Sequence, residues 1–329
     1  MKAVVWTKYG SPDGLQLQEV EKPTPKDHEV LIRVYASSVT AGDSEARGLR
    51  FPFWLALPMR LFMGPIKPRN IILGQELAGE IEAVGQAVTR FKVGDQIFGA
   101  TGFRFGGYAE YNCLPEESDD GVLALKPANM TYEEAAAVPT GGLEALHFLR
   151  IGRIQRGEKL LIIGAGGSIG TFAIQIARYF GAEVTAVDSG GKLDLLRSLG
   201  ADRVMDYTQE DFAKSGETYD AVFDVVGKNT FSRSLKSLRP GGRYLLANPS
   251  LSAMLQRFWI SRTSRKKVIL EPAKRTPEDL EFLKELIEAG KLKSVIDRRF
   301  PLEQTAEAHR YVDTGQKKGN VVITVAQQP

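Results

Sequence analysis

Between residues 160 and 170 the chain reads LLIIGAGGSIG, an apolar run that breaks into glycines and passes at once into a helical pattern. Four apolar residues without polar alternation suit a strand covered on both faces. Thr171–Phe180 then sets Ala173, Ile176, Ala177 and Phe180 along one helical face, and Glu183–Val187 resumes as a strand. Strand, glycine turn, helix and strand in this order form the βαβ unit that binds a dinucleotide, with Ala165 in the first glycine place and Gly167 and Gly170 in the second and third. The turn Ala165, Gly166, Gly167, Ser168, Ile169, Gly170 is expected to hold a pyrophosphate. There the backbone must approach without a Cβ in the way, and the helix N-terminus offers its N–H groups.

The alternation continues beyond this unit. Lys192–Leu199 reads as a helix stopped by Gly200, Ala221–Val226 as a strand, Thr230–Leu238 as a helix ended by Pro240-Gly241-Gly242, and Arg243–Ala247 as a strand. Apolar strands separated by amphipathic helices predict a parallel sheet wrapped on both faces. The first third is different. Lys2–Trp6, Leu15–Val20, Glu29–Ala36, 74–85, 96–99 and 107–111 are short runs with period-two patterning and Gly or Pro between them, which predicts a β domain. Thr131–Glu134 has the form of a helix start. Glu278–Ala289 and Pro301–Thr314 read as helices and Asn320–Val325 as a strand, and the sequence alone assigns them to neither domain. The fold class is therefore α/β, divided into a β domain over 1–126, a dinucleotide-binding domain over 127–270 and a C-terminal segment over 271–329.

Composition excludes several classes. With 329 residues, 43% hydrophobic and a net charge of +3, two cores are affordable and no acidic or basic tail stands out. Cys113 is the one cysteine, so no internal disulfide forms, and His28, His147 and His309 are spaced unlike a metal-ligand set, so no metal is expected. The N-terminus lacks signal-peptide character and no run reaches the ~18 apolar residues of a membrane span, so a cytoplasmic location is expected. The most apolar run, 51–62, contains Pro52, Pro58 and Arg60 and reads as a pocket-lining loop or short helix, with a membrane-skimming segment as the alternative. Arg257, Arg262, Arg265, Lys266 and Lys267 surround Phe258 and Trp259; a solvated loop is the plainer reading, and RNA binding is the rival from another class.

The end of the second strand carries two conflicting signals. Asp188 is the kind of acid that accepts hydrogen bonds from adenosine ribose hydroxyls and favours NAD. Ser189 and Lys192 follow it directly, and both suit a 2′-phosphate.

At this point the chain resembles the medium-chain dehydrogenase/reductase superfamily, and within it the zinc-independent quinone oxidoreductase branch. The resemblance spans essentially the whole length. It rests on residues 36–43 (ASSVTAGD), 74–79 (GQELAG), the Val93-Gly94-Asp95 turn, 135–140 (AAAVPT), the glycine turn, 199–202 (LGAD) and 238–242 (LRPGG). It implies a GroES-like β domain joined to a Rossmann domain, with the coenzyme in the cleft between them and the C-terminal segment packed on the first domain. Zinc-dependent relatives hold metal at positions that correspond here to Thr40, Gln75 and Thr140, whose hydroxyl and amide groups cannot stand in for thiolate and imidazole. The four-cysteine zinc lobe is also missing.

The resemblance thus implies hydride transfer from NADPH, with NADH as the alternative, to a small quinone or enone, or to an enoyl or alkenal double bond. Thr40, Asp43 and Gln75 are candidates for orienting the acceptor, or else serve internal hydrogen bonding. By similarity Lys192 and Tyr207 take the 2′-phosphate and adenosine, and Thr140, Val226, Asn248 and Asn320 complete the coenzyme contacts. Phe51, Phe53, Trp54 and Met63, in an insert longer than in many relatives, cap the cleft or pack the loop. A homodimer is expected from the same family.

Overall fold

The computed structural model describes residues 1–69, 71–227, 230–248, 254 and 264–326; of Phe53 and Trp54 it describes the backbone only. The described residues divide into two compact units, 1–140 with 275–329, and 141–274. The divisions fall at 140/141 and 274/275, against 126/127 and 270/271 read from the sequence. No helix among the described residues is long and apolar enough to cross a membrane.

In the first unit, β1 (Lys2–Trp6) and β2 (Leu15–Glu19) form a hairpin. The main sheet uses β3 (Glu29–Ser38), β4 (Glu76–Val84), β5 (Gln96–Ala100), β6 (Tyr111–Pro115) and β7 (Val122–Leu125), joined by β14 (Ile296–Pro301) and β15 (Asn320–Thr324) from the far end of the chain. β15 runs antiparallel to β3, pairing Val322 with Ser38 and Thr324 with Ala36. β3 is the hub, paired with β4, β6 and β15. That explains why its stretch from Val30 to Ser38 is buried except at Arg33. Sequence placed a strand over 107–111. The strand lies at 111–115 instead, because the amides of Gly107 and Tyr108 donate to Gly74 and Leu73 and the Tyr108 carbonyl accepts from Val4, which leaves no ladder there.

Among the described residues the second unit holds six strands: β8 (Lys159–Ile163), β9 (Glu183–Asp188), β10 (Arg203–Asp206), β11 (Tyr219–Asp224), β12 (Leu238–Leu246) and β13 (Lys267–Ile269). They stand in the order β10-β9-β8-β11-β12-β13, all parallel. Counted from β8 this is the 3-2-1-4-5-6 arrangement of the doubly wound fold, whose order reverses between β8 and β11. β8 lies between two neighbours, and Leu160, Leu161 and Ile162 are wholly buried, as an unbroken apolar strand requires. Pro240-Gly241-Gly242 does not separate a helix from a strand as expected. It forms an irregularity inside β12, where the pairing steps from Tyr219–Leu238 to Ala221–Arg243.

The helices that matter for the site are α1 (Ala41–Gly48), α2 (Phe53–Met63), α3 (Tyr132–Ala136), α4 (Pro139–Ile151) and α5 (Ser168–Tyr179). α1 and α3 each begin with a capping box: the side chains of Thr40 and Asp43, and of Thr131 and Glu134, satisfy each other's backbone N–H. Of the readings of the 51–62 run, the short helix is the one observed: α2 begins at Phe53, ends at Met63 and is capped by Gly64.

Candidate functional site

The glycine turn sits at the C-terminal end of β8, at the point where strand order reverses. Its glycines have separate jobs. Gly164 has φ +80°, and a Cβ there would meet Val226 Cγ2 at 2.5 Å. At Gly170 a Cβ would lie 2.5 Å from both Ala165 Cα and the Gly164 carbonyl oxygen, so the residue lets α5 pack against the strand end. Gly167, which precedes α5, is different: a Cβ there meets nothing of the protein nearer than the Gly164 oxygen at 3.7 Å. Its lack of a side chain serves no packing purpose within the protein, and it leaves the turn open beside the first N–H groups of α5, which have no carbonyl inside the helix. A dinucleotide pyrophosphate fits this cradle. Ala165 is fully buried, Ser168 and Ile169 half-buried at the mouth of the helix.

Asp188 ends β9 directly beside the turn, 7% exposed. Its Oδ2 accepts from the Gly166 amide at 2.7 Å; its Oδ1 accepts from the Ser189 amide at 2.8 Å and faces Lys192 Nζ at 3.1 Å. Lys192 is only 8% exposed, so the two conflicting signals of the sequence meet as one buried ion pair. Tyr207 is 61% exposed and its amide donates to the Asp188 carbonyl. Val226 is exposed at the β11 end, and Asn248 Nδ2 donates to the Val225 carbonyl at 2.8 Å, tying the loops after β11 and β12 together. Asp224, fully buried at the end of β11, accepts from the amides of Val226 and Gly227 and from the hydroxyls of Thr230 and Tyr244. The sequence reading passed over it.

In the first unit Thr40, Asp43 and Gln75 do come together. Thr40 Oγ1 lies 2.7 Å from Asp43 Oδ2 and 3.1 Å from Gln75 Oε1, while Asp43 also accepts from the Thr40 amide at 2.9 Å and the Gly74 amide at 3.2 Å. Asp43 is completely buried, and burial pushes its carboxyl up to about 6 even though the Thr40 hydrogen bonds pull the other way; the nearby Glu76 carboxylate raises it further. Thr40 and Gln75 are half-buried and so present polar atoms at the edge of this knot.

Glu76 was missed as a site residue. It is 1% exposed and accepts from the Ser38 hydroxyl and the Thr140 amide; burial raises its carboxyl against those two bonds and the Arg275 charge. The sequence did not single it out: Glu76 opens a strand that carries two more glutamates, Glu80 and Glu82. Thr140 is thereby committed to Glu76 on its backbone side. Asn320 is 3% exposed, with its side chain donating to the Val295 carbonyl at 3.1 Å at the start of β15, a bond internal to the first unit.

These positions do not suit zinc. Thr40 Oγ1 already receives the Asp43 amide at 3.0 Å as a helix cap, the Gln75 amide is a weak neutral donor, and among the described residues no three His, Cys, Asp or Glu side chains gather as a metal set.

The apolar segment is divided: Leu57, Leu61, Phe62 and Ile66 are exposed, while Phe51 and Met63 pack on the core. Met63 is 6% exposed within a core cluster containing Trp6, Leu73, Phe105 and Tyr108, and Phe51 packs on the same cluster. Of the two readings of Met63, capping the cleft or packing the loop, its burial in the core favours packing. The side chains of Phe53 and Trp54 lie outside the described residues. Of the basic cluster, Arg257, Phe258, Trp259 and Arg262 also lie outside them, while the Lys266 ammonium donates to the Leu235 carbonyl.

Comparison with known proteins agrees with this geometry. Residues 26–126 match the family model described as alcohol dehydrogenase GroES-like domain, and residues 199–323 the model described as zinc-binding dehydrogenase. The chain is 32% identical to a 2-methylene-furan-3-one reductase of Solanum lycopersicum over 98% of its own length and 79% of the relative's. It is 31% identical to a chloroplastic NADPH-dependent alkenal/one oxidoreductase of Arabidopsis thaliana, with the same coverages. Its structure superposes on a quinone oxidoreductase from Coxiella burnetii with a TM-score of 0.88 at 28% identity, covering 99% of each chain. Fold order, glycine turn and full-length similarity agree: the chain belongs to the medium-chain dehydrogenase/reductase family, in its quinone oxidoreductase-like branch.

Proposed function

We propose that this chain is an NAD(P)H-dependent oxidoreductase that delivers a hydride to a quinone or an α,β-unsaturated carbonyl compound. The observation that carries the reading is the open cradle at Gly167, set at the strand-order reversal of a parallel sheet. The relatives bearing the names alkenal/one oxidoreductase and furanone reductase, and the structural neighbour named quinone oxidoreductase, support the acceptor class.

When bound, the reduced nicotinamide supplies the hydride. The protein's residues supply geometry. Ser168 and Ile169 receive the pyrophosphate through backbone N–H groups beside the open side of Gly167, while Gly166 gives its own amide to Asp188 and Gly170 fixes α5 behind them. Ser189, Lys192 and Tyr207 lie where the adenosine end is held, and Val226 and Asn248 border the turn. Gln75 offers its side-chain amide N–H to the acceptor oxygen, and Thr40, whose hydroxyl donates to buried Asp43, fixes the Gln75 carbonyl side at 3.1 Å. Reduction of a quinone to a quinol also consumes a proton, which solvent provides.

The test is oxidation of NADPH and NADH by purified protein against one panel of quinones and one of enones and enals. Turnover with either panel at a rate well above the enzyme-free reaction is expected, and its absence with both would refute the reading. The preferred panel separates quinone reduction from double-bond reduction. We further propose a homodimer, on the family's habit; light scattering of the purified protein checks this.

A further inference from the structure

The acid that usually marks NAD preference and the lysine that usually marks a 2′-phosphate site are here bonded to each other. Lys192 Nζ stands 3.1 Å from Asp188 Oδ1, with the two side chains only 10% and 9% exposed. The carboxylate is held on both oxygens, by the Gly166 amide on one and the Ser189 amide on the other. A carboxylate offers about four acceptor positions, and four donors meet this one: the two amides, the ammonium and the Ser189 hydroxyl at 3.4 Å. The pair also lies against the phosphate turn itself. A Cβ at Gly166 would meet Lys192 Cδ at 2.4 Å and Asp188 Oδ2 at 3.0 Å. Glycine at this position is thus required by the ion pair, independently of any ligand.

Building on the NAD(P)H reading above, we propose that Asp188 and Lys192 neutralise each other, so that the pair adds no net charge to the adenosine site beside the Asp206 carboxylate, and the site admits coenzyme with or without a 2′-phosphate. Asp188 neither repels the phosphate, since its charge is compensated, nor selects the ribose, since its oxygens are occupied. Lys192 does not attract the phosphate as a free cation would. Breaking the pair from one side creates a preference whose sign depends on which charge remains. Breaking it from both sides restores the balance.

The experiment is a binding cycle read by the fluorescence of the reduced coenzyme, with no turnover needed. Dissociation constants for NADPH and NADH are measured for the wild type, Lys192→Met, Asp188→Asn and the double variant. The wild-type ratio is expected to lie within about tenfold of unity. Lys192→Met leaves a bare carboxylate and shifts the ratio toward NADH by about tenfold or more; Asp188→Asn leaves a bare ammonium and shifts it toward NADPH by a similar factor. The double variant returns to within about threefold of the wild-type ratio.

A double variant that follows Lys192→Met toward NADH overturns the proposal, because Lys192 would then be a phosphate ligand in its own right. So does a wild type that discriminates by more than about a hundredfold. Should Lys192→Met fold poorly with its buried lone carboxylate, the double variant, which strands no charge, decides the matter alone. Failure of the wild type to bind either coenzyme sinks the function itself and this inference with it, whereas binding with the wrong pattern sinks only the inference.

Discussion

Two glycines three residues apart in the same turn should fail in opposite ways. At Gly170 the three nearest atoms to an added Cβ are all backbone, at 2.5, 2.5 and 2.6 Å, about 1 Å inside ordinary contact. No side chain can swing aside, so α5 must shift off the end of β8. Overpacking of this kind costs about 1–3 kcal/mol, and rigid backbone neighbours put it at the upper end. Alanine recovers up to about 1 kcal/mol through its better helix propensity, which leaves about 2 kcal/mol of net destabilisation. For a unit of this size that lowers the melting temperature by roughly 4–8 °C.

Gly167 has φ −86°, an ordinary value for alanine, and 3.7 Å of clearance. Gly167→Ala should melt within about 3 °C of the wild type, since alanine at a helix N-cap costs about 0.7 kcal/mol relative to glycine. Its methyl, however, occupies the space the pyrophosphate needs, and coenzyme affinity should fall at least about tenfold. Thermal unfolding followed by circular dichroism, together with fluorescence titration of NADPH, measures both. A Gly167→Ala protein that binds coenzyme normally, or one that melts as early as Gly170→Ala, would refute the division of labour.

Other consequences follow from the buried charges and the core. Because burial raises Asp43 from 3.8 to about 6, the folded state holds its proton longer than the unfolded one, so this group contributes stability that is lost as pH rises from about 4 to 6; Asp43→Asn should flatten that fall by at most about 3 kcal/mol in urea titrations across the interval. Arg47, 1% exposed, donates to Asp313 at 2.6 Å and to His309 Nδ1 at 3.3 Å, and burial beside Arg47 pushes His309 down to about 3, leaving it uncharged. Asp313→Ala should therefore cost about 2–3 kcal/mol in the same assay, and Arg47→Met in that background should recover part of it, because the loss comes chiefly from a stranded guanidinium. Met63→Ala should cost about 2–4 kcal/mol of stability with unchanged Michaelis constants, as expected of a core side chain and not of a pocket lid.

The comparison of sequence with structure divides along the range of the interactions involved. The strand, turn and helix over 160–180 were legible because each signal is local: an apolar run, glycines at fixed offsets, and a helical period within twenty residues. The Thr40–Asp43 and Thr131–Glu134 capping boxes are equally local, although only the second was read as a helix start. β10, β13 and β14 went unread because they are short, carry exposed residues and have no periodic pattern.

Sequence by itself determined that two kinds of architecture follow one another and that one of them binds a dinucleotide, since both follow from local residue patterns at known spacing. Tertiary structure alone decided that β15 closes on β3, that Glu76 is buried against Ser38 and Thr140, and that Asp188 spends its charge on Lys192. Pairing and burial depend on which distant surfaces meet, and a linear pattern of side chains does not encode which charge will find its counter-ion there.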